Sequence, residues 1–317
     1  MTQALDLPTM QELRVSNDLF DRPEELRARL AQDGYVFLRD VLDQEAVAEA
    51  RRAFLEVLAQ DGHVASAEDT TPPRYTGPRG AGRRLDLSAL DDQGVWQRLV
   101  HTPSVNAVFE TVMGDEVAWV PIVEYRATPP APEPPADPFA GRHQDGYFNE
   151  GMAFHICWIP LSEIDRETGG IALATGLHHG PFLHDPSLPN CDIPQDAIPA
   201  DCWRRADYRP GDLIVFSRTT PHAGLANRSG DGLRLSLDLR VIPLSEPVPL
   251  VGPLVEVGEA SVTVDDARSG PTTVVVDETT VVRAGGRDTV PLSYYRPGDV
   301  VIVPHRDGRA VNLRPGR

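Results

Sequence analysis

Between Leu233 and Arg240 apolar and polar residues alternate without a break. Leu233, Leu235, Leu237 and Leu239 fall on one side, and Arg234, Ser236, Asp238 and Arg240 on the other. Successive side chains of a strand point to opposite faces, so this stretch predicts a strand with one leucine face and one polar face. Shorter apolar runs at 35–38, 117–125, 154–161, 171–173 and 213–216 predict further strands. They are punctuated by turn sequences such as Thr168-Gly169-Gly170 and Arg209-Pro210-Gly211-Asp212. Helical spacing appears in the first third of the chain. Pro23 and the acids Glu24 and Glu25 open a helix that carries Leu26 and Leu30 one turn apart, and Gly34 ends it. Asp43 is placed as the N-cap of a second helix with Val47, Ala50, Phe54 and Leu58 on one stripe. Two more helices are expected at 88–99 and 104–113. The pattern predicts a mainly β core with helices packed on its outside.

Residues before about Asp18 show no period and are expected to form an arm. Three stretches read as loops, 63–84, 126–141 and 181–200, and loops on a rigid scaffold often shape substrate pockets. The second holds too many prolines for regular structure and directly precedes His143. It is either a lid or a disordered insertion. Past Ser245 the texture changes to a proline-marked linker and short Val/Thr-rich strands. The expected organisation is a domain over 1–245 followed by a small β-barrel over 246–317. Tyr295-Arg296-Pro297-Gly298-Asp299 in the tail echoes Tyr208-Arg209-Pro210-Gly211-Asp212, which is read as shared turn chemistry.

Composition narrows the function classes. A chain of 317 residues buries a proper core, and its net charge of −17 argues against nucleic-acid or anionic-membrane partners. No apolar run is long enough to span a membrane. The first residues lack the pattern of a signal peptide, and the three cysteines show no metal-type pairing, so reduced thiols in a cytoplasm are expected. The chain has no lysine, which removes Schiff-base and lysine-nucleophile chemistry.

The candidate chemistry centres on His143-Gln144-Asp145. A His and an Asp two residues apart on a strand would share a face and hold one metal ion, and His222 in Thr220-Pro221-His222-Ala223-Gly224 is the candidate third ligand. Two His and one carboxylate with open positions opposite is the ligand set of non-haem Fe(II) oxygenases. The open positions suit a 2-oxo acid and O2. Arg234, with Ser236 on the same strand face, supplies a planar cation and a hydroxyl for the far carboxylate of 2-oxoglutarate. Tyr125 and His155 are further cosubstrate candidates, the latter being alternatively a core histidine. Arg126, Tyr147 and Trp158 are substrate-binding candidates. His178, His179 and Cys157 are read as structural.

Here the chain resembles the phytanoyl-CoA dioxygenase-like Fe(II)/2-oxoglutarate oxygenases over 19–243. The resemblance rests on 30–38, His143-Gln144-Asp145, Thr168-Gly169-Gly170-Ile171 leading to Gly176-Leu177-His178, and Arg209-Pro210-Gly211-Asp212 leading to His222 and Asn227-Arg228-Ser229. It implies a double-stranded β-helix (jelly-roll, cupin-like) core and oxidative decarboxylation of 2-oxoglutarate coupled to substrate oxidation. Halogenases of this group lack the carboxylate ligand, so Asp145 counts against halogenation. The tail is similar to small OB-like barrels. The leading expectation is a hydroxylase of a small or medium-sized organic molecule, with natural-product tailoring as a context. Desaturation, epimerisation and cyclisation use the same chemistry. A non-catalytic jelly-roll binding protein with an interaction module is the alternative of another class. Substrate and oligomeric state are not legible in the sequence.

Overall fold

The computed structural model describes residues 10–68, 72–78, 85–133, 135–285 and 288–316. The chain divides into two compact units. One runs to Gly114 and resumes over Glu124–Gln144 and Ile156–Asp238; the other gathers Asp115–Val123, Asp145–His155 and the chain from Leu239 onward.

In the first unit the helices form where capping and period had placed them. Pro23–Asp33 starts on its proline and ends at Gly34, whose φ of 77° is the left-handed conformation that glycine adopts without a Cβ penalty. A Cβ there would also lie 2.5 Å from His178 and 3.0 Å from the Thr220 hydroxyl. The Asp43 carboxylate accepts from the Glu45 and Ala46 amides and caps Gln44–Gln60, which buries Val47, Ala50, Phe54 and Leu58. The expected single helix over 88–99 is two, Ala89–Asp92 and Val95–His101, because Gly94 takes φ 64° between them. Pro103–Met113 completes the set.

Among the described residues these units carry sheets of five and four strands. The five-stranded sheet runs in the order Tyr35–Leu38, Leu213–Ser217, His155–Pro160, Arg234–Pro243, Val117–Thr128. The four-stranded sheet runs Gln11–Glu12, Trp203–Arg205, Gly170–Ala174, His222–Leu225. This is a jelly-roll arrangement, mainly β with flanking helices. Residues after Met10 are not the loose arm expected of them: Gln11 and Glu12 pair in parallel with Arg204 and Arg205, and Leu13 and Ser16 are buried. The alternating strand is buried on both faces. Leu235, Leu237 and Leu239 are fully covered, and Arg234, Ser236, Asp238 and Arg240 are each less than a tenth exposed. Burying polar side chains requires that each find partners, and those partners define the site below.

In the second unit, the described residues between 250 and 315 form a nine-stranded sheet. In Ser261–Asp266, Val262, Val264 and Asp266 face inward, while Thr263 pairs its hydroxyl with that of Thr273 at 2.9 Å. Val262, Val264, Val274, Val301, Val303 and Leu313 make its core. The two echoing turns share their geometry. In each, the Arg amide donates to the Asp carboxylate (3.0 Å in Arg209–Asp212, 2.7 Å in Arg296–Asp299), and the glycine takes φ 94° or 96°.

Candidate metal centre

His143 and His222 are joined through their backbones: each amide donates to the other's carbonyl at 2.9 Å, and the ring centroids are 4.2 Å apart. The register is set by the strand His222–Leu225, in which His222 pairs with Leu173, and by Thr220, whose hydroxyl donates to Gly34 O at 2.9 Å. Each imidazole is oriented by a carbonyl two residues before it. Nδ1 of His143 lies 2.9 Å from Gly141 O, and Nδ1 of His222 lies 3.1 Å from Thr220 O. A carbonyl only accepts, so Nδ1 carries the proton in both rings and the Nε2 lone pairs are left for a metal.

Asp145 joins them by a route other than the expected strand. The chain leaves extended structure at Gln144, and Asp145 opens a 3-10 turn, Asp145–Phe148. One ligand atom from each of His143, Asp145 and His222 still falls within 4.8 Å of the others. Two neutral imidazole nitrogens and one carboxylate oxygen at that separation fit a divalent transition metal.

Three side chains that sequence reading missed hold this arrangement. Gln144 is fully buried: its Nε2 donates to Thr219 O and its Oε1 accepts from the Leu183 amide, both at 2.7 Å. His184 accepts the Gln144 amide on Nε2 at 3.0 Å and donates from Nδ1 to Cys191 O at 2.6 Å. Arg240 donates from Nη2 to Asp145 Oδ2 at 2.7 Å, both residues being buried. Only Arg240 carried a signal, its place on the polar face of the alternating strand.

Arg234 lies on the same strand face. Its Nη1 donates to Leu225 O at 2.6 Å, Thr168 O at 3.1 Å and Gly170 O at 3.3 Å, and its Nη2 to the Thr128 hydroxyl at 3.3 Å. Burial, reinforced by the charge of Arg126, pulls its pKa down to about 10 against the opposing pull of Asp238, so it remains a cation at neutral pH. Ser236 is buried on the same face by alternation. Arg126 pairs through Nε with Asp238 Oδ2 at 2.6 Å.

The remaining candidates are placed differently. Tyr125 sits on the opposite face of its strand from Arg126 and Thr128. Its ring packs edge-on against Phe54 and its hydroxyl donates to Leu90 O, so it belongs with the helices and is not brought to Arg234. Trp158 is buried edge-on against Tyr208 at 4.8 Å. His155 opens its strand half-buried, and Tyr147 is half-buried beside Phe148. The described part of 126–141 is packed: Phe139 stacks on Trp203 at 4.0 Å, and the Ala131 amide donates to Asn227 O. That excludes a disordered insertion for those residues. Cys157 is buried in the core, and none of the three cysteines forms a disulfide.

Comparison with known proteins agrees with this geometry. The phytanoyl-CoA dioxygenase (PhyH) family signature matches residues 30–235. The chain is 31% identical over 247 residues to a 1-deoxypentalenic acid 11-beta-hydroxylase of Streptomyces arenae, covering 72% of this chain and 83% of that protein. A protein of the same description from Streptomyces exfoliatus is 31% identical over 240 residues, with the same shares covered. Among solved structures, the non-haem α-ketoglutarate-dependent carbocyclase SnoK from nogalamycin biosynthesis matches at 19% identity and a TM-score of 0.52. That match covers 87% of this chain and 92% of SnoK. No described helix is long and apolar enough to cross a membrane.

Proposed function

The chain belongs to the phytanoyl-CoA dioxygenase family, and from that premise we propose that it hydroxylates an aliphatic C–H of a small or medium-sized organic molecule. It is an Fe(II)/2-oxoglutarate-dependent oxidoreductase. In this reading His143, Asp145 and His222 hold the iron. Arg234 grips the far carboxylate of 2-oxoglutarate, with Ser236 adding a hydroxyl. The observation that carries the reading is the convergence of one ring nitrogen from each of two histidines and one carboxylate oxygen within 4.8 Å, inside the stretch that the family signature matches. Bound there, iron with 2-oxoglutarate and O2 supplies the oxidising power that puts one oxygen atom into the substrate and the other into succinate, releasing CO2.

The chain's own residues prepare the site. Carbonyls of Gly141 and Thr220 fix both imidazoles in the tautomer that presents Nε2. Arg240 donates to Asp145 Oδ2 and so holds the carboxylate in orientation and in its charged form. Arg234 has its Nη1 saturated by three carbonyls and keeps its unbalanced charge for an anion, since the neighbouring Arg126 is already paired with Asp238. The small organic substrate would then be oxidised next to the metal. Residues 1–245 are taken as the oxygenase domain and 246–317 as a small OB-like barrel. Three cysteines outside any disulfide suit a reducing cytoplasm.

Anaerobic titration with Fe(II) and 2-oxoglutarate tests the assignment. A weak visible charge-transfer band is expected in the native protein and not in His143→Ala. If the native protein gives no band, the iron assignment fails. Succinate release with 1-deoxypentalenic acid and a panel of aliphatic compounds, followed by product mass, then tests hydroxylation. A product two mass units lighter than its substrate, or isomeric with it, would replace hydroxylation by desaturation or epimerisation.

A further inference from the structure

The segment that carries Asp145 is fastened to the C-terminal strands. Asn149, buried, donates from Nδ2 to Asp145 O at 2.7 Å and accepts on Oδ1 from Arg314 Nη1. Glu150 accepts from Arg283 Nη2 at 2.8 and 3.1 Å and from Asn312 Nδ2 at 3.0 Å. Gly151, at φ 82°, lies so close to the tail that a Cβ would sit 2.8 Å from Val311 and 3.1 Å from Pro304. The clamp is stiff at its far end. Asn312–Pro315 is an inner strand, paired on one side with Val300–Val303 and on the other with Val281–Gly285. Arg240, which holds the Asp145 carboxylate itself, lies on the strand that leads into this same unit.

The charges fit a positioning role. Three guanidiniums, of Arg240, Arg283 and Arg314, meet the carboxylates of Asp145 and Glu150 and the amide oxygen of Asn149, and Asn312 adds a donor to Glu150. Partly buried cations so close together repel one another, and the arrangement is stable only while the acidic segment remains seated among them. A linker-tethered module with no part in the site would need neither the charge match nor the glycine contact.

We propose that the C-terminal sheet is a positioning device for the carboxylate ligand, in which Arg314 acts through Asn149, and Glu150 through Arg283 and Asn312, to fix the turn that begins at Asp145. The proposal rests on the reading of Asp145 as a metal ligand. Loss of outer partners of a metal ligand typically lowers metal affinity about 10- to 100-fold.

The full-length chain is titrated anaerobically with Co(II), whose visible spectrum reports coordination geometry. Arg314→Met is expected to weaken Co(II) binding at least about tenfold and to change the spectrum. Arg314→Lys should recover part of both. Arg309→Ala, which removes an exposed tail ion pair with Asp277, should match the native protein in both. Native affinity and spectrum in Arg314→Met would overturn the proposal while leaving the metal centre intact. Failure of the native chain to bind Co(II) would remove the metal reading and the proposal with it. Hydrogen exchange on the native chain is independent of any folding defect in a variant. The amides of Asn149 and Met152, which donate to Gly146 O and Asn149 O, should exchange well below the rate of an open loop, and exchange at that rate would also overturn the proposal.

Discussion

Gly169 makes room for Arg234. A Cβ at Gly169 would stand 3.0 Å from Arg234 Nη1, 2.7 Å from Ala226 O and 2.8 Å from Leu225 O, in a backbone conformation of φ 88°. The Thr168-Gly169-Gly170 turn is thus matched to the guanidinium that donates to the carbonyls on either side of Gly169. Gly169→Ala should cost about 1–3 kcal/mol through the left-handed φ and the contacts with backbone oxygens. Because one of those oxygens, Leu225 O, accepts from Arg234 Nη1 and the guanidinium is the next neighbour, relief of the clash displaces the cation, and the KM for 2-oxoglutarate should rise more than kcat falls. Thermal unfolding and succinate-release kinetics measure the two effects separately.

Arg234→Lys retains the charge and removes the planar fork. One ammonium cannot serve three carbonyls and a bidentate carboxylate together. Loss of a charge-assisted hydrogen bond is worth about 1.5–3 kcal/mol, so the affinity for 2-oxoglutarate should drop roughly 10- to 100-fold. Metal affinity should stay near native, because Arg234 does not touch the ligand triad. Isothermal titration with 2-oxoglutarate in the presence of Co(II) checks both parts. An unchanged affinity would remove Arg234 from cosubstrate binding.

What was legible in the sequence was whatever local chemistry dictates. The Asp43 cap, the Gly34 stop and the two Arg-Pro-Gly-Asp turns follow from a few adjacent residues, and they form as expected. The candidate ligands were legible because His-X-Asp and a later His are rare in company with Arg-X-Ser. What the sequence hid depends on residues far apart in the chain. Gln11 and Glu12 become a strand only because Arg204 and Arg205 lie beside them. Tyr125 was a site candidate by its neighbours, but strand alternation and Phe54 direct it to the helices. Arg240 on an alternating strand reads equally well as a solvated face, and only the fold pairs it with Asp145. The helix expected over 88–99 failed for a local reason, the left-handed Gly94, that its apolar period concealed.

Gln144, the residue between two candidate ligands, is expected to matter as much for stability as for metal binding. Gln144→Ala leaves Thr219 O and the Leu183 amide without their partner in a fully buried position. Each unsatisfied group costs about 1–3 kcal/mol, so destabilisation of at least about 2 kcal/mol is expected. Gln144→Glu keeps the acceptor for Leu183 and loses the donor to Thr219, and should fall between. Urea unfolding of the three proteins ranks them, and Co(II) titration shows whether the ligands move with the backbone.

Asp266 offers a pH-dependent test of the C-terminal sheet. Its buried carboxylate accepts from the Val251 amide at 2.9 Å, the Ser269 amide at 2.9 Å and hydroxyl at 2.8 Å, and the Arg268 amide at 3.2 Å. Burial alone would push the carboxyl upward. The donors, led by the Val251 amide, outweigh it and hold the pKa below the usual range. A carboxyl depressed in the folded state contributes stability above its unfolded pKa of about 3.9, and that contribution is lost as pH falls through the lower folded value. Asp266→Ala should therefore cost about 1–3 kcal/mol at pH 7. The difference from native should narrow as pH falls below the unfolded value of about 3.9 and the native carboxyl in turn takes up its proton. Urea midpoints measured from pH 2.5 to 7 follow the gap, and a gap constant across that range would show that the carboxylate charge contributes nothing to this unit.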